Sequence, residues 1–174
     1  DGRIAYVGSQ NVVNADFKPG LQFEELVARV QGPIVLQLQA VFLSDLYLET
    51  SSAATSATFF PPPEVAGDSP AQALPSGPGF PQANNQRLFT ALIHAARERI
   101  VLTTPYFVPD ETLLAAIQSA ALRGVDTHLI VSQQLDQWLV GLAQRSYYES
   151  LLECGVQIHL YRERFLHAKH LSID

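Results

Sequence analysis

Apolar and polar positions divide the 174-residue chain into stretches of different character. Near the start, "RIAYVGSQ" is β-branched and aromatic and stops at Gly8-Ser9, as a strand running into a loop does. A second strand is predicted over about 22 to 31. There Phe23, Glu25, Val27 and Arg29 alternate with Glu24, Leu26, Ala28 and Val30, a mixed pattern that suits a strand covered on both faces. Gly32-Pro33 then opens "GPIVLQLQAVFLSDLYLE". The proline suits a first helical turn, and Ile34, Leu38, Val41, Phe42 and Leu46 recur at helical spacing, so one face is predicted to pack on a core.

Between about 50 and 86 the periodicity disappears into Pro, Ser, Ala and Gly, which predicts a long irregular excursion. Within it "AQAL" reads as a short strand ahead of the turn residues "PSGPG". From Asn85 the pattern is regular again. A helix "NQRLFTALIHAARER" precedes a buried strand "IVLTTPYF", and "DETLLAAIQSAALRG", capped by Asp110, precedes "VDTHLIVS". A third helix, "DQWLVGLAQRSYYESLLECG", precedes "VQIHLY". Gly124 and Gly155 stand just past a helix and before a strand, where a left-handed cap is needed. Repeated αβ units imply a largely parallel sheet with helices on both faces.

Composition narrows the function classes. Apolar residues make up 47% of the chain and charged ones 16%, with a net charge of -6, which excludes wholesale disorder and a generally basic nucleic-acid surface. Any anion site must be local. Cys154, the only cysteine, rules out an internal disulfide and a cysteine-based zinc site and reads as a buried thiol. No apolar run approaches the ~18 residues that span a bilayer, so the piece as given is expected to be soluble. It opens at Asp1 and contains no Met, and is expected to be part of something longer.

The chemistry lies at the two ends. In "RFLHAKHLSID", His167, Lys169 and Asp174 form H-x-K-x-x-x-x-D. On a strand, positions two apart share a face, so the His167 imidazole and the Lys169 ammonium would lie side by side as a compact anion site. Asp174, at an odd offset from His167, points to the other face and reads as structural. An isolated His-x-Lys pair is ordinarily a surface strand with a few charges, so the motif needs support. At the other end Asp1 is followed by Gly8-Ser9-Gln10-Asn11, or D-x-x-x-x-x-x-G-S-x-N, where Ser9 and Asn11 in a Gly-opened turn are suited to donating hydrogen bonds to a phosphate.

Together the two ends resemble the phospholipase D superfamily, in which H-x-K-x-x-x-x-D is followed by G-S-x-N and two such motifs face each other across a pseudo-twofold axis. The resemblance narrows to bacterial cardiolipin synthases through "GSQN", "ELVARVQGP", "FLSDLYLET", "PSGP", "TTPYFVPDETLL", "ALRGV", "RSYYESLLECGVQIHLY" and "FLHAKHLSID", in that order. The sequence departs from the pattern at Leu46, where many members carry Trp, and matches nothing characteristic over 51–69. The resemblance implies a phospholipase D-like α/β/α sandwich around a mixed, mainly parallel sheet. Residues 1–50 would end a first half, 51–69 form a Pro/Ser/Ala-rich insert, and 70–174 build the second half through the end of its motif. Asp1 would be the last residue of a first motif whose His and Lys precede it.

The activity this implies is condensation of two phosphatidylglycerols to cardiolipin and glycerol through a phosphohistidine, without metal or cofactor. His167 would be a general acid and base, and Lys169, Ser9 and Asn11 would bind the phosphate. Asp1 and Asp174 would be structural members of their motifs. Glu25 stands where relatives carry an acid that orients a motif histidine; the competing reading is a solvated strand charge. "TTPYFVP" would wall the substrate pocket, with Tyr106 and Phe107 near glycerol or acyl groups. His94, His128 and His159 are expected to be packed or surface histidines rather than ligands.

The implied partner is anionic phospholipid at the bacterial cytoplasmic membrane, reached through parts of the parent chain absent here, with no nucleic acid and an open oligomeric state. Two alternatives stand beside it. One is another phospholipase D-type phosphodiesterase, a lipase or nuclease, though the charge of -6 disfavours nucleic acid. The other is a non-catalytic module, because a chain with one complete motif is not expected to turn over alone.

Overall fold

The computed structural model describes residues 2–14, 17–51, 57–80 and 82–174. Asp1 and part of the expected insert lie outside the described residues. The chain divides into two compact units, one of residues up to Val7 with Val27–Asn84, the other of Gly8–Leu26 with Asn85–Asp174.

In the first unit, β1 (Ile4–Gly8) pairs with the second half of the strand predicted over 22–31. That strand is interrupted. β2 (Phe23–Glu24) and β3 (Val27–Gln31) flank Glu25 and Leu26 and belong to different sheets, β3 pairing with β1. α1 (Ile34–Thr50) follows Pro33 and ends at Ser51, whose φ of 52° is left-handed and whose N–H donates to the Tyr47 carbonyl. Its predicted apolar face is diffuse: Val35 is the buried residue while Phe42 is exposed, because apolar side chains run around the whole helix. "AQAL" is not a strand; Ala73 N–H donates to the Gln37 side-chain oxygen at 2.9 Å instead of to a ladder.

The second unit carries the αβ units read from the sequence. α2 (Asn84–Ala95), β4 (Arg99–Thr103), α3 (Glu111–Leu122), β5 (Asp126–Ser132), α4 (Trp138–Arg145), α5 (Tyr148–Glu153) and β6 (Gln157–Tyr161) follow one another, and β7 (Phe165–Leu166) and β8 (His170–Ile173) close the chain. The sheet order is β6-β5-β4-β8, with β4, β5 and β6 parallel and β8 antiparallel to β4, and β2 pairs in parallel with β7. This is the expected α/β class with a mixed, mainly parallel sheet. Ile100, Leu129 and Val131 of the sheet are buried with Ile93 and Ala96, Ala116, Ile117 and Ala120, and Leu151.

Alternate strand positions carry a polar network instead. His128 lies 2.9 Å from both His159 and Asp126, as a packed surface histidine pair. The helix predicted over 136–155 breaks after Arg145, where Ser146 Oγ donates to the Ala143 carbonyl at 2.7 Å and competes with the backbone ladder. Cys154 is half-buried at the end of α5 rather than buried. Among the described residues no helix is long and apolar enough to cross a membrane.

Asp110 caps α3, its carboxylate accepting the N–H groups of Thr112 and Leu113 at 2.8 and 3.0 Å. Asp110→Ala is expected to cost about 1 kcal/mol, since those first-turn donors have no intrahelical partner. For a chain of this size that corresponds to a Tm lower by about 2 to 4 °C in calorimetry.

Candidate active site

His167, Lys169, Glu25 and Ser9 lie in the second unit, where the motif segment bends. His167 N–H and Ala168 N–H both donate to the Glu24 carbonyl, at 2.8 and 3.1 Å, and this pulls 167–169 out of the ladder between β7 and β8. His167 and Lys169 are therefore not neighbours on one straight strand, as the spacing had suggested. Lys169 Nζ instead turns back to donate to the His167 carbonyl at 2.8 Å.

His167 is 8% exposed and packs against the Phe23 and Phe165 rings. Its Nδ1 lies 2.8 and 2.9 Å from the two carboxylate oxygens of Glu25. A carboxylate only accepts, so Nδ1 carries the proton and Nε2 is the nitrogen left for chemistry. Glu25 reaches this position because the strand breaks there.

Ser9 completes a chain of bonds. Its hydroxyl donates to Glu25 Oε2 and accepts the Leu26 N–H at 3.0 Å. A hydroxyl has one proton to give, and here it goes to the acid bonded to His167. Asn11 lines a cavity of about 150 Å³ that Glu25, Asn14, Phe17 and Phe23 also border.

The ammonium of Lys169 is held below the ordinary lysine value by desolvation, against the opposing pull of the Glu25 and Asp136 carboxylates. Beside Lys169 lies a largely apolar cavity of about 230 Å³ whose wall includes Thr104, Tyr106, Phe107 and Pro109 of "TTPYFVP".

Sequence reasoning missed Lys18 and Asp136. Asp136 Oδ2 accepts from Lys18 Nζ at 2.6 Å and from the Tyr106 hydroxyl at 2.7 Å. Burial pushes the Asp136 carboxyl up, but those two donors outweigh it and hold the group below its usual range. Burial, with Asp136 adding to it, keeps the Tyr106 phenol protonated well above its ordinary value. The only signal in the sequence was a charged pair 118 positions apart, which no pattern connects.

Asp174 sits away from His167. Its carboxylate accepts the backbone N–H groups of Arg97, Glu98 and Arg99, each at 2.9 Å, and its own N–H donates to the Arg99 carbonyl. The N–H groups of Arg99, then Glu98 and Arg97, hold its pKa down. It ties the end of β8 to the start of β4, a structural use of the motif's last residue. Among the described residues no group of three His, Cys, Asp or Glu side chains is arranged to hold a metal ion.

The profile of the family described as "Cardiolipin synthase, PLD-like domain" matches residues 89–174. Cardiolipin synthase A of Pectobacterium carotovorum subsp. carotovorum is 36% identical over 186 aligned positions that take in all of this chain and 37% of that protein. Cardiolipin synthase A of Serratia proteamaculans matches at the same identity and coverage, as does that of Yersinia pestis. The chain thus spans 37% of the length of the curated relatives it matches. A crystal structure of polyphosphate kinase from Porphyromonas gingivalis superposes on 55% of this chain and 14% of its own, at TM-score 0.43 and 19% identity, below the level that implies a shared fold. The bent motif segment lies inside the matched region and the identity runs the length of the chain: residues 89–174 match the phospholipase D-like domain of the cardiolipin synthase family, and the whole chain is similar to cardiolipin synthase A.

Proposed function

We propose that the chain is part of a phosphatidyltransferase of cardiolipin synthesis, which condenses two phosphatidylglycerols to cardiolipin and glycerol. The observation that carries this reading is a buried histidine, His167, held at Nδ1 by Glu25 next to Lys169, in a chain 36% identical to cardiolipin synthase A. Residues 1–50 would close a first phospholipase D-like half, with Asp1 a structural member of its motif, and 70–174 would form the second half around the 51–69 insert. The whole protein would work at the bacterial cytoplasmic membrane.

In the proposed reaction a second histidine attacks the phosphorus of one phosphatidylglycerol. The P–O bond to the headgroup glycerol breaks as the new N–P bond forms, and His167 Nε2 gives its proton to the departing oxygen. His167 then takes the proton from a hydroxyl of the second phosphatidylglycerol, whose oxygen displaces the phosphohistidine nitrogen. Glu25 stabilises the imidazolium present before glycerol leaves, and Ser9 fixes Glu25. Lys169, with Asn11, faces the negative charge on the phosphoryl oxygens, where fixed donors are worth most. The apolar cavity beside Lys169 suits the glycerol and the first acyl carbons of the donor.

The test uses the full-length transferase with a labelled donor. Wild type is expected to form cardiolipin, free glycerol and an acid-labile phosphohistidine. His167→Ala is expected to lose adduct formation from phosphatidylglycerol yet keep it from a p-nitrophenyl phosphatidyl ester, whose leaving group needs no proton. Unchanged cardiolipin formation in His167→Ala, or hydrolysis of DNA in place of lipid, would overturn the reading.

A further inference from the structure

α4 is a surface helix turned inside out. Its buried positions are Gly141 and Gln144, whereas Trp138, Leu139 and Leu142 are 68%, 64% and 51% exposed. Interior contacts enforce this orientation. Gln144 Oε1 accepts the Phe107 N–H at 2.9 Å, and Gln144 Nε2 donates to the Tyr148 hydroxyl at 2.8 Å. A Cβ on Gly141 would stand 2.5 Å from Leu135 Cδ1, the end of a partly exposed side chain that would have to turn aside. Rotating α4 to bury its leucines would strand those buried polar groups at about 1 to 3 kcal/mol each. The apolar face is held outward, and its side chains at i, i+1 and i+4 lie on one side of the helix. Such a patch marks an interaction surface rather than a stray exposed residue.

We propose that this face of α4 is an in-plane membrane contact that seats the second unit on an anionic bilayer beside its active site. Charge supports that occupant: α4 holds no acidic residue and ends in Arg145, in a chain whose net charge is -6. The acid nearest in sequence, Asp136, is neutralised by Lys18 and its side chain is only 3% exposed, so it puts no free negative charge at the surface; the next, Glu149, lies beyond the helix on α5. Tryptophan and leucine on one side of a short helix suit the headgroup boundary. The patch is also continuous with the candidate site, because Asp136 stands two residues before Trp138 and binds Tyr106 on the wall of the cavity beside Lys169. The choice of a bilayer over a protein partner rests on the lipid-substrate reading; the docking itself needs no turnover.

Trp138 is the only tryptophan, so its emission reports this face directly. The 174-residue chain is titrated with vesicles of equimolar phosphatidylglycerol and phosphatidylcholine, and with phosphatidylcholine alone. A blue shift, quenching by bromine-labelled lipid and co-sedimentation are expected with the anionic vesicles. Leu139→Gln with Leu142→Gln keeps the reporter and is expected to weaken partition at least tenfold, with circular dichroism unchanged. No spectral change in the folded chain would overturn the proposal, as would partition indifferent to the double variant. A blue shift that tracks protein concentration without vesicles would assign the face to a second copy instead. Vesicle binding by this chain, with no phosphohistidine formed by the full-length protein, would sink the transferase reading and leave this one standing.

Discussion

Under the proposed transferase reaction, Glu25→Gln in the full-length protein is expected to lower kcat by roughly 10²- to 10⁴-fold with little change in KM. The carboxylate takes two donors on two oxygens, His167 Nδ1–H and the Ser9 hydroxyl. Glutamine offers one oxygen and an NH₂ group, so one of the donors must face another donor. If the NH₂ turns to His167, the ring gives up its Nδ1 proton and carries it on Nε2, the tautomer that cannot accept a proton from the incoming hydroxyl. If it turns to Ser9, the hydroxyl must give up its bond and reorganise around Leu26. In both cases a neutral amide no longer stabilises the imidazolium.

Ser9→Ala removes one bond to Glu25 and is expected to cost less, about tenfold. The readouts are kcat and KM for each variant, with nitrogen chemical shifts of the His167 ring to assign its tautomer. An unchanged kcat would show that Glu25 does not act through His167, and the tautomer distinguishes which way the amide has turned.

The regular half of this architecture was legible because its determinants are local. Apolar spacing marks α2 and α3, Asp110 supplies a cap that the structure uses, and Gly124 and Gly155 adopt φ of 90° and 92° where helices hand over to strands. What could not be read depends on partners distant in sequence. Nothing in the alternation around Glu25 says that two residues leave the ladder; the cause is β7, which takes up β2 while β3 goes to β1.

The same holds at the motif. Residue types identify His167 and Lys169, but the Glu24 carbonyl bends the segment that carries them. Ser9 reads equally as a donor to phosphate or to an acid until Glu25 is seen against it. In α4 the apolar residues Trp138, Leu139 and Leu142 are exposed. Two buried hydrogen bonds of Gln144 turn that face outward.

Lys18→Met is expected to destabilise the fold by about 1 to 3 kcal/mol at neutral pH. Removing one partner of a buried pair costs about 3 to 5 kcal/mol, and the Lys18 side chain is 36% exposed, so solvent recovers part of it. Asp136 has little else to rely on: Oδ1 is buried without a hydrogen-bond partner, and Oδ2 would keep only the Tyr106 hydroxyl. Methionine preserves most of the apolar stem, which isolates the charge from the packing.

The pH dependence separates this effect from a packing loss. In the wild type the folded Asp136 pKa lies below its unfolded value of about 3.9, so its contribution is present above that pH and lost as pH falls through the folded value. Without Lys18 its hydrogen bond and its charge no longer oppose the burial of Asp136, so the folded pKa rises relative to the wild type. The stability gap between wild type and Lys18→Met should then be widest at pH 7 and narrow toward pH 4 in urea denaturation. A gap that stays constant between those pH values would mean that the charge on Asp136 is not what Lys18 serves.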